Sequence, residues 1–284
     1  MSARDFASLI KLSHSVFALP FALLALFAAD ASPSWQTVAL CIVAVVAART
    51  SAMAYNRYVD RDIDAENPRT KGREIPRGAV SPRSALALTL VSGLVFLGCC
   101  VALGSVCAWL GVPVWLWLLL YSHAKRFTSL CHLWLGVALG IAPLAAWVAV
   151  RGSFDGFAIP LQLAVGVVLW VAGFDICYAC QDEAFDKARG LHSIPAKLGV
   201  VRAMWLSRTM HLCAACLFWS FGREAGLGVA YTVGVCCAAA MMTWQHWLLR
   251  RFDLTRIHTA FFTANGILSV VMLAAGLSDI YLFA

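Results

Sequence analysis

An all-α membrane bundle is the fold class this sequence predicts, on three observations. Of its 284 residues, 61% are apolar and only 13% are charged, against roughly half and about a quarter in ordinary globular chains. Long apolar runs recur along the chain, separated by short stretches where charges and turn residues gather. The basic residues sort to one side of those runs. Lipid, not water, solvates such a surface, which excludes a soluble enzyme, a disordered chain and a secreted cysteine scaffold. At about 20 residues per crossing no length is left for a separate soluble domain, so residues 1–284 are expected to form one domain.

Nine helices are expected, starting near Ser13, Trp35, Ser84, Cys107, His132, Pro160, Ala203, Leu227 and His258. The first covers the run Val16 to Ala28. It follows Arg4 and Lys11 and imitates a signal peptide, with Ala29 to Ser32 as a loose cleavage site. Removing it would spoil the charge sorting, so it is read as retained. The second helix carries Arg49. The third and fourth share the nearly unbroken stretch Leu86 to Leu120, divided by the small residues around Gly104 and by Pro113. Charge decides for two helices. With a cytoplasmic N-terminus and nine crossings, all but three of the 22 Lys and Arg residues lie inside. Arg151 and Arg223 fall outside, and Arg49 lies within its helix. Merging the third and fourth would reverse the fifth to ninth and undo that sorting. The net charge of +7 is therefore a topology signal with some attraction to anionic headgroups. No basic and aromatic interleaving suggests a nucleic-acid partner. An inner (cytoplasmic) membrane location follows, with the N-terminus and the loops after the even-numbered helices facing the cytoplasm.

Nine of the fifteen acids lie in two of those cytoplasmic segments: Asp60, Asp62, Asp64, Glu66 and Glu74, then Asp175, Asp182, Glu183 and Asp186. Steps of four residues turn only about 40° on a helix, so Asn56, Asp60 and Asp64 share a face. At about 100° per residue Asp175, Asp182 and Asp186 fall within about 40° of one another and make a second acidic face. Carboxylates stacked at a membrane edge repel one another and are costly there, so a compensating cation is expected. Mg²⁺ suits the chemistry, since it takes hard oxygen ligands and binds one or two carboxylates together with a substrate's phosphate oxygens. An Ile-Pro step follows each cluster, at Ile75-Pro76 and Ile194-Pro195. That parallel suggests an internal repeat of about four helices that brings the two acidic faces together across a central cavity. Arg69, Lys71, Arg73, Arg77, Lys125, Arg126, Lys187 and Lys197 lie among the acids and are placed to clamp a diphosphate.

Other chemistry-bearing residues read as structural. The eleven cysteines, with Cys177-x-x-Cys180 and Cys213-x-x-Cys216 among them, lie in or beside apolar helices and are expected to pack as small hydrophobes. His132, His246 and His258 read as ordinary interfacial residues, while His123 and His192 lie in loops near the acidic segments. Trp109, Trp115, Trp117, Trp244 and Trp247 fit an interfacial aromatic belt.

The run Asn56-Arg57-Tyr58-Val59-Asp60-Arg61-Asp62-Ile63-Asp64 resembles the N-x-x-x-D-x-x-x-D signature of the UbiA intramembrane prenyltransferases, and Asp182 to Asp186 resembles their D-x-x-x-D signature. The likeness extends to His14-Ser15-Val16-Phe17-Ala18-Leu19-Pro20, to Tyr121-Ser122-His123-Ala124-Lys125-Arg126-Phe127-Thr128 and to the run from Asp175 to Gly199. It is closest to the 4-hydroxybenzoate polyprenyltransferase branch. The resemblance implies nine transmembrane helices around a lipid-accessible cavity, Mg²⁺ dependence, a polyprenyl diphosphate donor and an aromatic acid acceptor. By the same resemblance Asn56, Asp60 and Asp64 hold one Mg²⁺ and Asp182 and Asp186 another, with Asp175 in support. Arg49, Arg73 and Lys125 match positions for the diphosphate or the acceptor carboxylate, with Tyr121 and Arg126 beside them. Where relatives often read Arg-Pro-Leu-Pro, this chain reads Arg73-Glu74-Ile75-Pro76, a difference that bears on the acceptor.

The implied reaction is electrophilic aromatic substitution in ubiquinone-type biosynthesis, with a dihydroxynaphthoate of menaquinone biosynthesis as the alternative acceptor. Two other classes compete. A membrane cation transporter would place its acids near the midplane at broken helices, not at one face beside basic residues. A CDP-alcohol phosphotransferase would open on D-G-x-x-A-R, which this chain lacks.

Overall fold

The computed structural model describes residues 9, 17–249 and 263–283. The expected helix starts at Ser13 and His258, the His14-Ser15-Val16 tripeptide and His258 itself lie outside the described residues. Among the described residues the chain is entirely helical, with no strand. The helices are α1 (Leu19–Ala29), α2 (Trp35–Val59), α3 (Arg61–Glu66), α4 (Pro82–Ala102), α5 (Ser105–Ala124), α6 (Cys131–Arg151) and α7 (Ala158–Ala179). A 3₁₀ turn, Cys180–Asp182, joins α7 to α8 (Glu183–Ala188), and α9 (Ile194–Leu198), α10 (Val200–Glu224), α11 (Val229–Leu248) and α12 (Ala264–Tyr281) follow.

Six of these stretches are long and apolar enough to cross a membrane: α2, α4, α5, α6, the run Ala158–Ala188 and α12. Helix α1 is apolar but spans only 11 residues, and α10 and α11 stand at the seventh and eighth expected positions. The long apolar stretch from Leu86 does divide. Helix α4 closes at Ala102, and Gly104, at φ 120°, takes a backbone conformation that a side chain would strain, before α5 begins at Ser105. Pro113 lies inside α5 and does not end it.

The described residues form two compact units, one of residues 9 and 39–123 and the other of 17–38, 124–249 and 263–283. In the first, Ser81 opens α4: its Oγ accepts the Ser84 N–H at 3.1 Å, with Pro82 at the first helical position. Ser51 of α2 donates to Thr89 O of α4 at 2.8 Å and accepts Trp115 Nε1–H of α5 at 2.8 Å. One buried hydroxyl thus ties three helices, the kind of interhelical bond that replaces a hydrophobic drive in lipid. Trp115 is therefore an internal strut and not a member of the expected aromatic belt.

The second unit is built around α7, which is buried along most of its length. Gly136 and Gly140 of α6, four residues apart, let α6 lie directly on α7: a Cβ at Gly136 would stand 2.4 Å from Val168 O, and one at Gly140 2.8 Å from Ala164 O. Phe17, Phe21, Trp170, Phe174, Phe218, Phe221 and Tyr231 fill the centre. Trp170 and Phe174 meet edge to face at 5.1 Å. Several polar groups inside this core are paired. Trp170 Nε1–H and Gln245 Nε2–H both donate to Asn265 Oδ1, at 3.0 and 2.7 Å, and His246 meets His211 Nδ1 at 3.0 Å. Asp279, at the far end of α12, accepts the N–H groups of Gly228, Ala230 and Tyr231. It caps α11 from a neighbouring helix, where no cap exists in α11's own sequence.

Candidate functional site

The first acidic segment is a helix with a joint. Helix α2 ends at Val59, Asp60 takes φ −91° and ψ 2°, and α3 restarts at Arg61. The four-residue ladder survives the joint, since Asp60 N–H donates to Asn56 O at 2.9 Å and Asp64 N–H to Asp60 O at 2.7 Å. Asn56 Nδ2 donates to Asp60 Oδ2 at 2.8 Å, so the stacked face read from the spacing is present. Asp64 is buried, and Arg73 Nη1 lies 2.7 Å from each of its oxygens. The loop that carries Arg73 is folded locally. Thr70 Oγ1 donates to Asp64 O, and Thr70 and Lys71 N–H both reach Asn67 O.

Two more guanidinium groups belong to this end of the unit. Arg57 is buried and donates from Nη1 to Asn56 Oδ1 at 3.3 Å, and neither its Nε nor that of Arg49 makes a hydrogen bond. Arg49 feels both Tyr121 and Arg57 electrostatically. Buried cationic donors left open in this way call for an anion. Arg57 was not among the residues picked from the sequence. Its neighbour Asn56 was the available signal, because an arginine in the last turn of an apolar helix must find a partner or snorkel to water. Tyr121 is half-buried near the end of α5, and Tyr55 Oη meets His123 Nε2 at 3.1 Å.

The second acidic segment departs from expectation. A continuous helix from Asp175 to Asp186 would align three acids, but the chain tightens into a 3₁₀ turn over Cys180–Asp182. That turn winds about 120° per residue instead of about 100°, which rotates Asp182 and Asp186 off the line through Asp175. Asp182 is buried and Asp186 completely so. Lys125 Nζ lies 2.8 Å from Asp186 Oδ1, an ion pair by distance. Neither Asp186 oxygen nonetheless receives a directed hydrogen bond, so the contact is Coulombic. Arg126, next to Lys125, is half-buried.

Asp175 has a different partner. His132, the second residue of α6, is 2% exposed, and its Nδ1 is 2.7 Å from Asp175 Oδ2. Its Nε2 accepts the Ile194 N–H at 3.2 Å. An acceptor nitrogen carries no proton, so Nδ1 holds it and donates to the carboxylate. His132 reads from the sequence as an ordinary interfacial residue, and the structure corrects that: a histidine opening a helix gives no hint of a carboxylate on the next helix. The same turn is stitched to the loop after α8 at two further points. His192 N–H donates to Lys125 O at 2.8 Å, and Cys131 Sγ donates to His192 O at 3.5 Å.

The donor set fits a divalent cation. Asp186 is a fully buried carboxylate whose oxygens lack directed donors, and Asp182 precedes it by one helical turn. Among the described residues no three His, Cys, Asp or Glu side chains enclose a metal by themselves. Mg²⁺ sites of the kind that also hold phosphate need only one or two carboxylates from the protein. The cysteines make no such cluster: all eleven are free thiols, Cys177 meets Ser207 Oγ at 3.1 Å, and Cys213, Cys216, Cys236 and Cys237 are exposed on apolar helices.

Residues 17–267 match the model of the UbiA prenyltransferase family. The chain is 31% identical over 255 residues to a 4-hydroxybenzoate octaprenyltransferase of Ralstonia nicotianae, covering 88% of this chain and 85% of that one. A protein of the same name from Aromatoleum aromaticum is 29% identical over 255 residues, covering 87% and 83%. Among solved structures, the apo form of a UbiA homolog from Aeropyrum pernix K1 superposes with a TM-score of 0.86 at 32% identity, over 93% of this chain and 97% of that one. A UbiA homolog from Archaeoglobus fulgidus bound to GPP and Mg²⁺ shares the fold, with a TM-score of 0.76 at 20% identity over 97% and 99%.

Proposed function

The chain belongs to the UbiA prenyltransferase family, and on that premise we propose that it transfers a polyprenyl group from polyprenyl diphosphate to an aromatic acid of the 4-hydroxybenzoate type, in an Mg²⁺-dependent step of quinone biosynthesis. Similarity to octaprenyltransferases over most of both chains supports the reaction class. The observation that carries the site is chemical: each acidic segment keeps a buried carboxylate, Asp64 or Asp186, in an ion pair with a basic side chain, Arg73 or Lys125. Asn56, Asp60 and Asp64 would hold one Mg²⁺, and Asp182 and Asp186 another, with Asp175 in support. Mg²⁺ bound there supplies charge that stabilises the departing diphosphate as the allylic carbon–oxygen bond breaks.

The chain's own residues do the rest. Arg73 and Lys125 donate to phosphate oxygens, exchanging a carboxylate for a more highly charged anion. Arg49, with an open Nε and Tyr121 near it, binds the diphosphate or the acceptor carboxylate, and Arg126 adds positive charge beside Lys125. Apolar helix walls keep water from the allylic cation, which the phenol ring attacks at the carbon ortho to its hydroxyl. The ring proton passes to a carboxylate of either acidic segment or to the released diphosphate, which restores aromaticity.

We place the protein in the cytoplasmic membrane as one domain over residues 1–284, with nine crossings around a lipid-accessible cavity and the acidic segments on the cytoplasmic side. The sorting of Lys and Arg supports that orientation. The test is a product-mass assay of membranes holding this chain, given polyprenyl diphosphate with 4-hydroxybenzoate or a dihydroxynaphthoate. Prenylated 4-hydroxybenzoate is the expected product. Prenylation of the naphthoate alone reassigns the acceptor, and no Mg²⁺-dependent product with either acid rejects the activity.

A further inference from the structure

The buried ring of His132 touches the chain on either side of Asp182 and Asp186. On one side Nδ1–H donates to Asp175 Oδ2 at 2.7 Å, and on the other Nε2 accepts the Ile194 N–H at 3.2 Å. Asp182 and Asp186 lie on the stretch of chain between those two contacts. Ile194 is the first residue of α9, whose other capping bond runs from Ala196 N–H to Ser193 Oγ at 3.2 Å. A single side chain from α6 therefore holds the Asp175 carboxylate and anchors the N-terminus of the helix that follows the segment. The bond to Asp175 is short and charge-assisted, and His132 is 2% exposed, so water competes poorly with either contact. The ring also fixes which Asp175 oxygen is spent: Oδ2 accepts from the imidazole, and no hydrogen bond to Oδ1 is seen from it. This is the arrangement by which outer-shell histidine and carboxylate pairs orient the groups that meet a metal.

We propose that His132 is a positioning residue: by bridging Asp175 and Ile194 it preorganises the Asp175–Asp186 segment for a magnesium-bound allylic diphosphate. The inference deepens the activity proposed above and rests on it. His132 does not touch the reacting atoms, and its contribution is to the geometry of the acids that do. Leucine at this position removes both contacts at similar volume. Glutamine carries an amide donor and a carbonyl acceptor and can keep one bond on each side.

The experiment uses the full chain purified in lipid nanodiscs, with a non-hydrolysable allylic thiolodiphosphate as probe. The Mg²⁺ concentration needed for half-maximal probe binding is read from the ligand-induced shift in thermal unfolding, and kcat and KM are measured in parallel with the reactive diphosphate. For His132→Leu the half-saturating Mg²⁺ should rise about 10- to 100-fold, with kcat reduced and KM for the aromatic acid unchanged. His132→Gln should stay within about three-fold of the parent, well inside the loss expected when the bridge is broken. A His132→Leu chain with parental Mg²⁺ dependence overturns the inference, as does a His132→Gln chain as impaired as His132→Leu. If His132→Leu does not accumulate, His132→Asn decides the matter. It is long enough for Asp175 and too short for Ile194, and an unchanged Mg²⁺ requirement in it also overturns the bridge. A parent chain that shows no Mg²⁺-dependent probe binding instead rejects the activity reading, and this inference falls with it.

Discussion

In the first acidic segment Asp64 takes its counter-charge from Arg73, nine residues along the same loop, while in the second Asp186 takes it from Lys125, at the end of α5 and separated from it by all of α6 and α7. The backbone follows the same division. Asn56, Asp60 and Asp64 are aligned by helical hydrogen bonds that run through a joint in the chain. Asp175, Asp182 and Asp186 are distributed across α7, a 3₁₀ turn and α8, and are tied down by His132, Lys125 and the backbone of the Lys125 turn. A local pairing survives wherever its loop folds. A non-local one exists only when the helices that carry its partners are packed, so the second segment is the one through which mutations in the helical core reach the acids.

The largest effect should come from the carboxylates themselves. Asp64→Ala and Asp186→Ala, each in a chain that still inserts and folds, should lower product formation by at least about 100-fold, as loss of a principal charge-stabilising group does. A variant of either segment with near-parental turnover would remove that segment from the site. Next come the counter-charges, where the two segments should differ. Lys125→Met leaves Asp186 wholly buried and uncompensated, which should cost about 2 kcal/mol of unfolding stability. That is below the full penalty for a buried pair, because Lys125 is itself 36% exposed. Adding Asp186→Asn should recover most of it without recovering activity. Arg73→Met should cost about 1 kcal/mol, since the short α3 loop can open Asp64 to water. Equal losses in the two variants would erase the distinction between local and assembled pairing.

The smallest effects separate the two capping serines. Ser193, fully buried at the start of α9, should cost about 1 kcal/mol on change to alanine and raise the Mg²⁺ requirement with it. Ser81→Ala at the exposed start of α4 should cost about 0.5–1 kcal/mol and leave the Mg²⁺ requirement where it was. Thermal unfolding in nanodiscs with and without Mg²⁺ checks both.

Much of the site was legible because it is written at short range. Four-residue spacing places Asn56, Asp60 and Asp64 together in any helical chain, and the burial of Asp64 beside Arg73 needed only the next loop. The separation of α4 from α5 was legible from charge sorting, and Gly104 marks the joint with a backbone conformation that only glycine takes without strain. The same reasoning failed where it assumed an unbroken helix from Asp175 to Asp186, since nothing in the local sequence announces the 3₁₀ turn at Cys180–Asp182. It failed again at Trp115, whose place near a helix end suggested a lipid interface, whereas Ser51 of α2 provides a buried acceptor for its indole N–H.

The sequence by itself determined that this is a helical membrane chain with clustered acids at helix ends, because hydropathy and the helical repeat act over a few residues and do not depend on neighbours. Tertiary structure alone decided that His132 meets Asp175, that Lys125 meets Asp186 and that Asp279 caps α11. Those partners are remote in sequence, and a buried charge or open backbone donor is satisfied by whichever group the packed helices bring within hydrogen-bonding reach.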